Sequence, residues 1–108
     1  MIKLNVNVTR RVINEGRRVI NEGHAGCADS CPVSLAVANA LHKRFRRYNE
    51  IYVSTYIGCI KLRAHTDKGK EIRVTMTDVP KKVKDFIRTF DSVTPNDAQP
   101  FTFVFKGL

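Results

Sequence analysis

No apolar run in this sequence approaches the ~18 residues a membrane-spanning helix needs. The first residues alternate apolar and polar from Lys3 onward, so they hold no signal-peptide core, and a cytoplasmic protein is expected. The common catalytic signatures are also missing: there is no HExxH, no glycine-rich phosphate loop and no nucleophile elbow. Acidic residues are sparse, ten in all, and Asp67, Asp78, Asp91 and Asp97 fall at expected caps and turns. Acid–base hydrolysis needs paired groups in a cleft, and no pair is marked, so the expectation is a protein that is not an enzyme. Cysteine is scarce and odd in number, three in all, which favours reduced thiols or a metal over a disulfide framework.

What the chain does have is positive charge. Nineteen Lys and Arg face ten Asp and Glu, for a net charge of +9 and a pI near 9.9. Residues 1–50 hold nine cations against four anions, and residues 51–108 hold ten against six. No basic tail carries the excess, so any patch must be assembled by folding, and nucleic acid, an acidic protein surface or an anionic ligand becomes the expected partner. With 108 residues, 43% of them apolar and 27% charged, one domain spanning residues 1–108 is predicted.

Ile2, Leu4, Val6 and Val8 alternate with polar residues, the period of a half-buried strand, and Thr9 is placed to cap a helix from Arg10. A tandem repeat follows, Arg10–Gly16 and then Arg17–Gly23. Seven residues are about two helical turns, so Val12 and Val19, like Ile13 and Ile20, would share a face of one helix, with Gly16 tolerated inside and Gly23 ending it. An in-frame duplication that merely lengthens the helix is the other reading. His24 to Ser30 reads as a loop of small residues. Cys31 at the N-cap and Pro32 at the first position open the next helix, expected to run to about Tyr48 with Val33, Val37, Ala40, Leu41, Phe45 and Tyr48 on one stripe.

Strands are expected at Ile51–Tyr56, Cys59–His65 and Lys70–Thr77, with a turn at Thr66–Gly69. Lys61, Arg63 and Arg73 would then point away from the core. Thr77 or Asp78 caps a helix near Pro80, whose apolar face is Val79, Val83, Phe86, Ile87 and Phe90. After a loop over 91–100, Phe101, Phe103 and Phe105 alternate in a closing strand. The order is β-α-α-β-β-β-α-β: an α+β fold, mainly antiparallel sheet with helices packed on one face.

Three constellations bear on chemistry. His24, Cys27 and Cys31, with Cys59 or a distant histidine, supply ligand types for a tetrahedral zinc, though not at a standard knuckle spacing. Cys31 at a helix start is where a thiolate is stabilised, with Cys27 as a resolving thiol; the plainer reading is a half-buried N-cap beside a packed loop cysteine, with Cys59 in the core. The third is a basic face. Lys43, Arg46 and Arg47 would share an exposed helix end, and Lys61, Arg63 and Arg73 a sheet face, while Tyr52 and Tyr56 on alternate strand positions are placed to stack bases. An ordinary solvated charged surface is the competing reading.

The run Cys27-Ala28-Asp29-Ser30-Cys31-Pro32-Val33-Ser34-Leu35-Ala36, with Phe86-Ile87-Arg88-Thr89-Phe90-Asp91 and Phe101-Thr102-Phe103, resembles small uncharacterised proteins of tailed phages and prophages. The resemblance covers nearly the whole chain and implies phage origin without implying an activity; the doubled Arg10–Gly23 segment departs from it. Cys31-Pro32 is weakly similar to the Cys-Pro-x-Pro helix start of sulfur carriers, but Ser34 stands where the second proline belongs, and that activity is not carried over. These readings lead to a small basic non-catalytic binding protein, a phage-type accessory factor in the host cytoplasm. It would inhibit or redirect a host complex, in defence or in nucleic-acid handling, by occupying its surface. Direct DNA or RNA binding is the alternative, a thiol or zinc protein the third. No cofactor other than that zinc, and no membrane, is expected.

Overall fold

The alternation at the N-terminus forms strand β1 (Ile2–Val8), which buries Leu4, Val6 and Val8 and leaves Lys3, Asn5 and Asn7 in solvent. A computed structural model describes residues 2–19, 31–90 and 98–107 of the chain. Thr9 caps the following helix, its Oγ1 accepting a hydrogen bond from the Val12 N–H at 3.2 Å. Helix α1 is described over Arg10–Val19; Ile20 and Gly23, where the repeat predicts the helix to continue and end, lie outside the described residues. The first heptad is docked through Ile13, which is fully buried, and through Gly16. A Cβ on Gly16 would lie 2.7 and 2.9 Å from ring carbons of Pro32 and 3.1 Å from the Phe90 ring. The glycine is therefore required by the packing, and not simply tolerated.

Helix α2 (Pro32–Arg44) starts with proline at its first turn and buries Val33, Ala36, Val37 and Leu41. It ends four residues before the predicted Tyr48. Phe45 leaves helical geometry at φ −130° and ψ 88°, its N–H still donating to the Leu41 carbonyl at 2.8 Å. Its ring meets Tyr48 edge-on at 6.4 Å, and Tyr48 enters the core as the first residue of strand β2 (Tyr48–Thr55). The 41, 45, 48 spacing fits a helical stripe, but the chain instead uses the two aromatics to turn from helix to strand.

Strands β3 (Ile60–Thr66) and β4 (Glu71–Met76) complete an antiparallel sheet in the order β2-β3-β4. Gly69, at φ 78°, supplies the left-handed residue of the predicted turn. Helix α3 (Lys81–Phe90) starts at Pro80, whose carbonyl accepts from the Lys84 N–H, two residues beyond the predicted Asp78 cap. Its predicted stripe of Val79, Val83, Phe86, Ile87 and Phe90 is buried. Strand β5 (Phe101–Gly107) pairs antiparallel with β1, and Phe101 packs on Phe86 at 4.9 Å between centroids.

The element order is thus β-α-α-β-β-β-α-β, with the strands divided between a two-stranded and a three-stranded antiparallel sheet. One apolar cluster draws buried side chains from all eight elements. Each such aliphatic or aromatic side chain contributes roughly 1.5–3 kcal/mol relative to exposure, so the inward faces are fixed by the core. Within it Ser34 and Thr55 share a buried hydrogen bond of 2.7 Å that ties α2 to β2. No helix among the described residues is long and apolar enough to cross a membrane.

Candidate binding surfaces

Because Ile60, Leu62, Ala64, Val74 and Met76 point inward, the intervening residues of β3 and β4 form the outer face of the three-stranded sheet. The register arranges that face in rows. Tyr52, Arg63 and Arg73 are directly opposite one another across the three strands. Ser54, Lys61 and Thr75 form the row toward the β2–β3 turn, and Glu50, His65 and Glu71 the row on the other side.

In the central row the Arg63 guanidinium lies over the Tyr52 ring, 4.9 Å from its centroid. The Nε of Arg73 donates to Glu71 Oε1 at 2.9 Å, and the same oxygen is 4.0 Å from Arg63 Nε and 3.7 Å from His65 Nε2. The Arg73 hydrogen bond holds the Glu71 carboxyl below its usual value; desolvation opposes it, and the charges of Arg73, His65 and Arg63 each add a smaller lowering. His65 Nδ1 is buried without a hydrogen bond, and Glu50 Oε2 is 3.7 Å away. One carboxylate thus gathers three basic side chains and hydrogen-bonds one guanidinium directly.

Tyr56, one residue past β2, continues the outward series, and its N–H closes the β2–β3 turn on the Cys59 carbonyl at 2.8 Å. Tyr52, Tyr56 and Ile57 are 52%, 49% and 45% exposed, three of the four large hydrophobic residues exposed among those described. The exposed apolar surface is therefore concentrated at the cationic end of this sheet.

Lys43, Arg46 and Arg47 do not join this face. Lys43 is on the last turn of α2, whereas Arg46 and Arg47 lie in the turn after it, because the helix stops at Arg44. Arg47 stacks on Phe45 and Tyr48, each at 5.1 Å, and Arg44 on Phe45 at 5.4 Å. Tyr48 is at the start of β2 and Tyr52 four residues on, roughly 14 Å along the strand, with the Glu50–His65–Glu71 row between them. The predicted basic face is two clusters divided by acidic residues.

Of the four thiol and zinc candidates, Cys31 and Cys59 are among the described residues. His24 and Cys27 lie outside the described residues. Cys31 caps α2 from a half-buried position but gives it no side-chain hydrogen bond. Cys59, expected in the core of a strand, is instead a half-exposed residue of the β2–β3 turn. Among the described residues no three His, Cys, Asp or Glu side chains stand close enough to hold a metal.

No known protein family, curated protein or solved structure matches this chain.

A second surface escaped the sequence reading. A groove of about 1110 Å³ runs between β1 on one side and α1 and α2 on the other. Asn5, Asn7 and Asn39 line it together with Lys3, Arg11 and Lys43. The polar residues of β1 read from sequence as a solvated strand face. The signal available was that two of them are carboxamides, which donate and accept at once, and not charges.

Proposed function

We propose that the protein is a non-catalytic binding protein that takes single-stranded nucleic acid on the outer face of β2, β3 and β4. The observation that carries this reading is the central row: a tyrosine beneath an arginine, with a second arginine directly across β3. Unstacked bases pack on aromatic rings and on guanidinium planes, and arginines beside them take the phosphates. A sheet scaffold places these groups side by side with little backbone ordering on binding, and Glu71 lies beside both guanidiniums, 2.9 Å from Arg73 Nε and 4.0 Å from Arg63 Nε. In the phage-type cytoplasmic setting that the Cys27–Ala36 stretch implies, the strand would belong to host or phage nucleic acid.

Fluorescence anisotropy of the protein with a labelled single-stranded oligonucleotide tests this. Neutralisation of about three phosphates, by Lys61, Arg63 and Arg73, predicts a slope of log affinity on log salt near −2. A flat salt response, or no binding at micromolar protein, overturns the reading.

A second reading is favoured by Tyr56 and Ile57, which expose apolar surface beside the cations as the centre of a protein interface does. Here the sheet face occupies an acidic surface of a host nucleic-acid-handling complex and blocks it. Pull-downs with and without nuclease separate the two. A partner retained after nuclease and lost with Ile57→Asp supports the protein surface, and a partner lost with nuclease supports the nucleic acid.

A further inference from the structure

We infer that the groove between β1 and the α1–α2 pair is a separate binding site for an acidic, extended segment of a partner protein. Its cations are Lys3, Arg11, Lys43 and Arg44, against one carboxylate, Glu15. Among the described residues none of the four cations pairs with a carboxylate, in contrast to Arg63 and Arg73 on the sheet. This charge is unspent, and an anionic occupant is the complement that lowers its energy.

The rest of the lining distinguishes a peptide from a nucleic acid. No aromatic ring lines the groove, so it lacks the ring platform on which successive bases stack. Asn5, Asn7 and Asn39 instead present amide donors and carbonyl acceptors, the set that pairs with the N–H and C=O groups of an extended main chain. Leu35, Ala36 and Ala40 give α2 an apolar wall against which the methylenes of acidic side chains can lie. From Lys3 to Thr9 the lining follows six steps of β1, roughly 20 Å, the length of about six extended residues. β1 has β5 on one edge, and among the described residues no strand pairs with its other edge. A strand-shaped ligand thus meets charge, polar partners and length matched to it.

The test uses the full chain and a labelled ten-residue peptide alternating Glu with Ala, a Gln-for-Glu copy, and a ten-nucleotide single strand. The Glu peptide should bind, and the Gln copy should bind at least about tenfold more weakly, as expected when several exposed ion pairs are lost together. Lys3→Glu with Lys43→Glu, both at exposed positions, should weaken the Glu peptide by a similar factor, whereas Arg63→Glu with Arg73→Glu should leave it unchanged. Side-chain amide NMR signals of Asn5, Asn7 and Asn39 should shift on titration of the wild-type chain, which reads the site without any substitution. The inference is overturned if the Glu peptide binds no better than its Gln copy. It is also overturned if the sheet-face reversal removes the peptide, or if the groove reversal removes the oligonucleotide and leaves the peptide. Loss of oligonucleotide binding to the sheet face alone leaves this site standing, so the two readings fail separately.

Discussion

The outer sheet face and the β1–helix groove are both cationic, yet their cations stand in different company. On the sheet, Arg63 and Arg73 share Glu71, and a tyrosine lies under one of them. In the groove, Lys3, Arg11 and Lys43 stand among asparagines, with no ring beside them. A positive charge attracts any anion at long range, and the neighbouring groups then decide which anion is held at contact. A ring set among the cations selects bases, and carboxamides with an apolar wall select a main chain. A net charge of +9 therefore describes the attraction and not the partner.

The sharpest way to separate the two regions is charge reversal on one of them. On the proposed function, Arg63→Glu with Arg73→Glu would remove two phosphate contacts and add two negative charges beside Glu71. Oligonucleotide affinity should fall about a hundredfold in anisotropy at low salt, since hydrogen bonds to charged groups contribute roughly 1.5–3 kcal/mol each. Extending the reversal to Arg46 and Arg47 should add little, because those side chains lie beyond the Glu50–His65–Glu71 row. If the second pair matters as much as the first, the two basic clusters act as one surface and the division drawn here is broken.

Tyr52→Ala asks whether the ring matters apart from the charge. Base stacking on an aromatic side chain is worth about 1–3 kcal/mol, so the oligonucleotide should bind about tenfold more weakly or worse, with an unchanged salt slope. The acidic peptide should be indifferent to it. A Tyr52→Ala variant that binds the oligonucleotide like wild type would reduce the sheet face to a plain cationic surface, no different in kind from the groove.

Gly16→Ala acts on the groove through its walls. The added Cβ meets the Pro32 ring at 2.7 Å and pushes α1 from α2, the two helices that form one side of the groove. Overpacking of this kind costs about 1–3 kcal/mol, measurable as a lower urea midpoint. In the folded variant the peptide should lose affinity, whereas the sheet face should hold its oligonucleotide. An unchanged midpoint would mean that α1 accommodates the methyl and that the first heptad's glycine is dispensable.

Much of this division was legible from single elements, and the remainder depended on pairs of elements. The inward set Leu4, Val6 and Val8, the stripe of α3 and the outward Lys61, Arg63 and Arg73 all follow from local period, and the core enforces it. Glu71, by contrast, stands six residues from His65 and twenty-one from Glu50, each on a different strand, and only the register brings them together. The end of α2 was misread because Phe45 and Tyr48 satisfy the helical spacing, while their packing on each other and on the core draws Tyr48 into β2. The groove needed the placement of two helices against β1, which no window of sequence contains. The strand pattern likewise could not say that β1 and β5 form their own sheet.

The smallest expected effect is also the most direct probe of how the sheet face is organised. Glu71 has a folded pKa below its usual 4.5, chiefly because Arg73 hydrogen-bonds the carboxylate. The stability it contributes is therefore fully present above the unfolded value and is lost as pH falls through the lower, folded value. Glu71→Gln should remove that part of the acid sensitivity, so thermal midpoints of wild type and variant should converge as pH drops below 4.5. At neutral pH the variant should be slightly less stable, for Glu71 is solvent-exposed and its pairs are weak. Its effect on binding has the opposite sign. Removing the one anion held between Arg63 and Arg73 raises the local potential, and oligonucleotide affinity should rise by a small factor. If affinity falls instead, Glu71 serves mainly to aim the guanidiniums, and the sheet face owes its selectivity to a fixed geometry that the groove lacks.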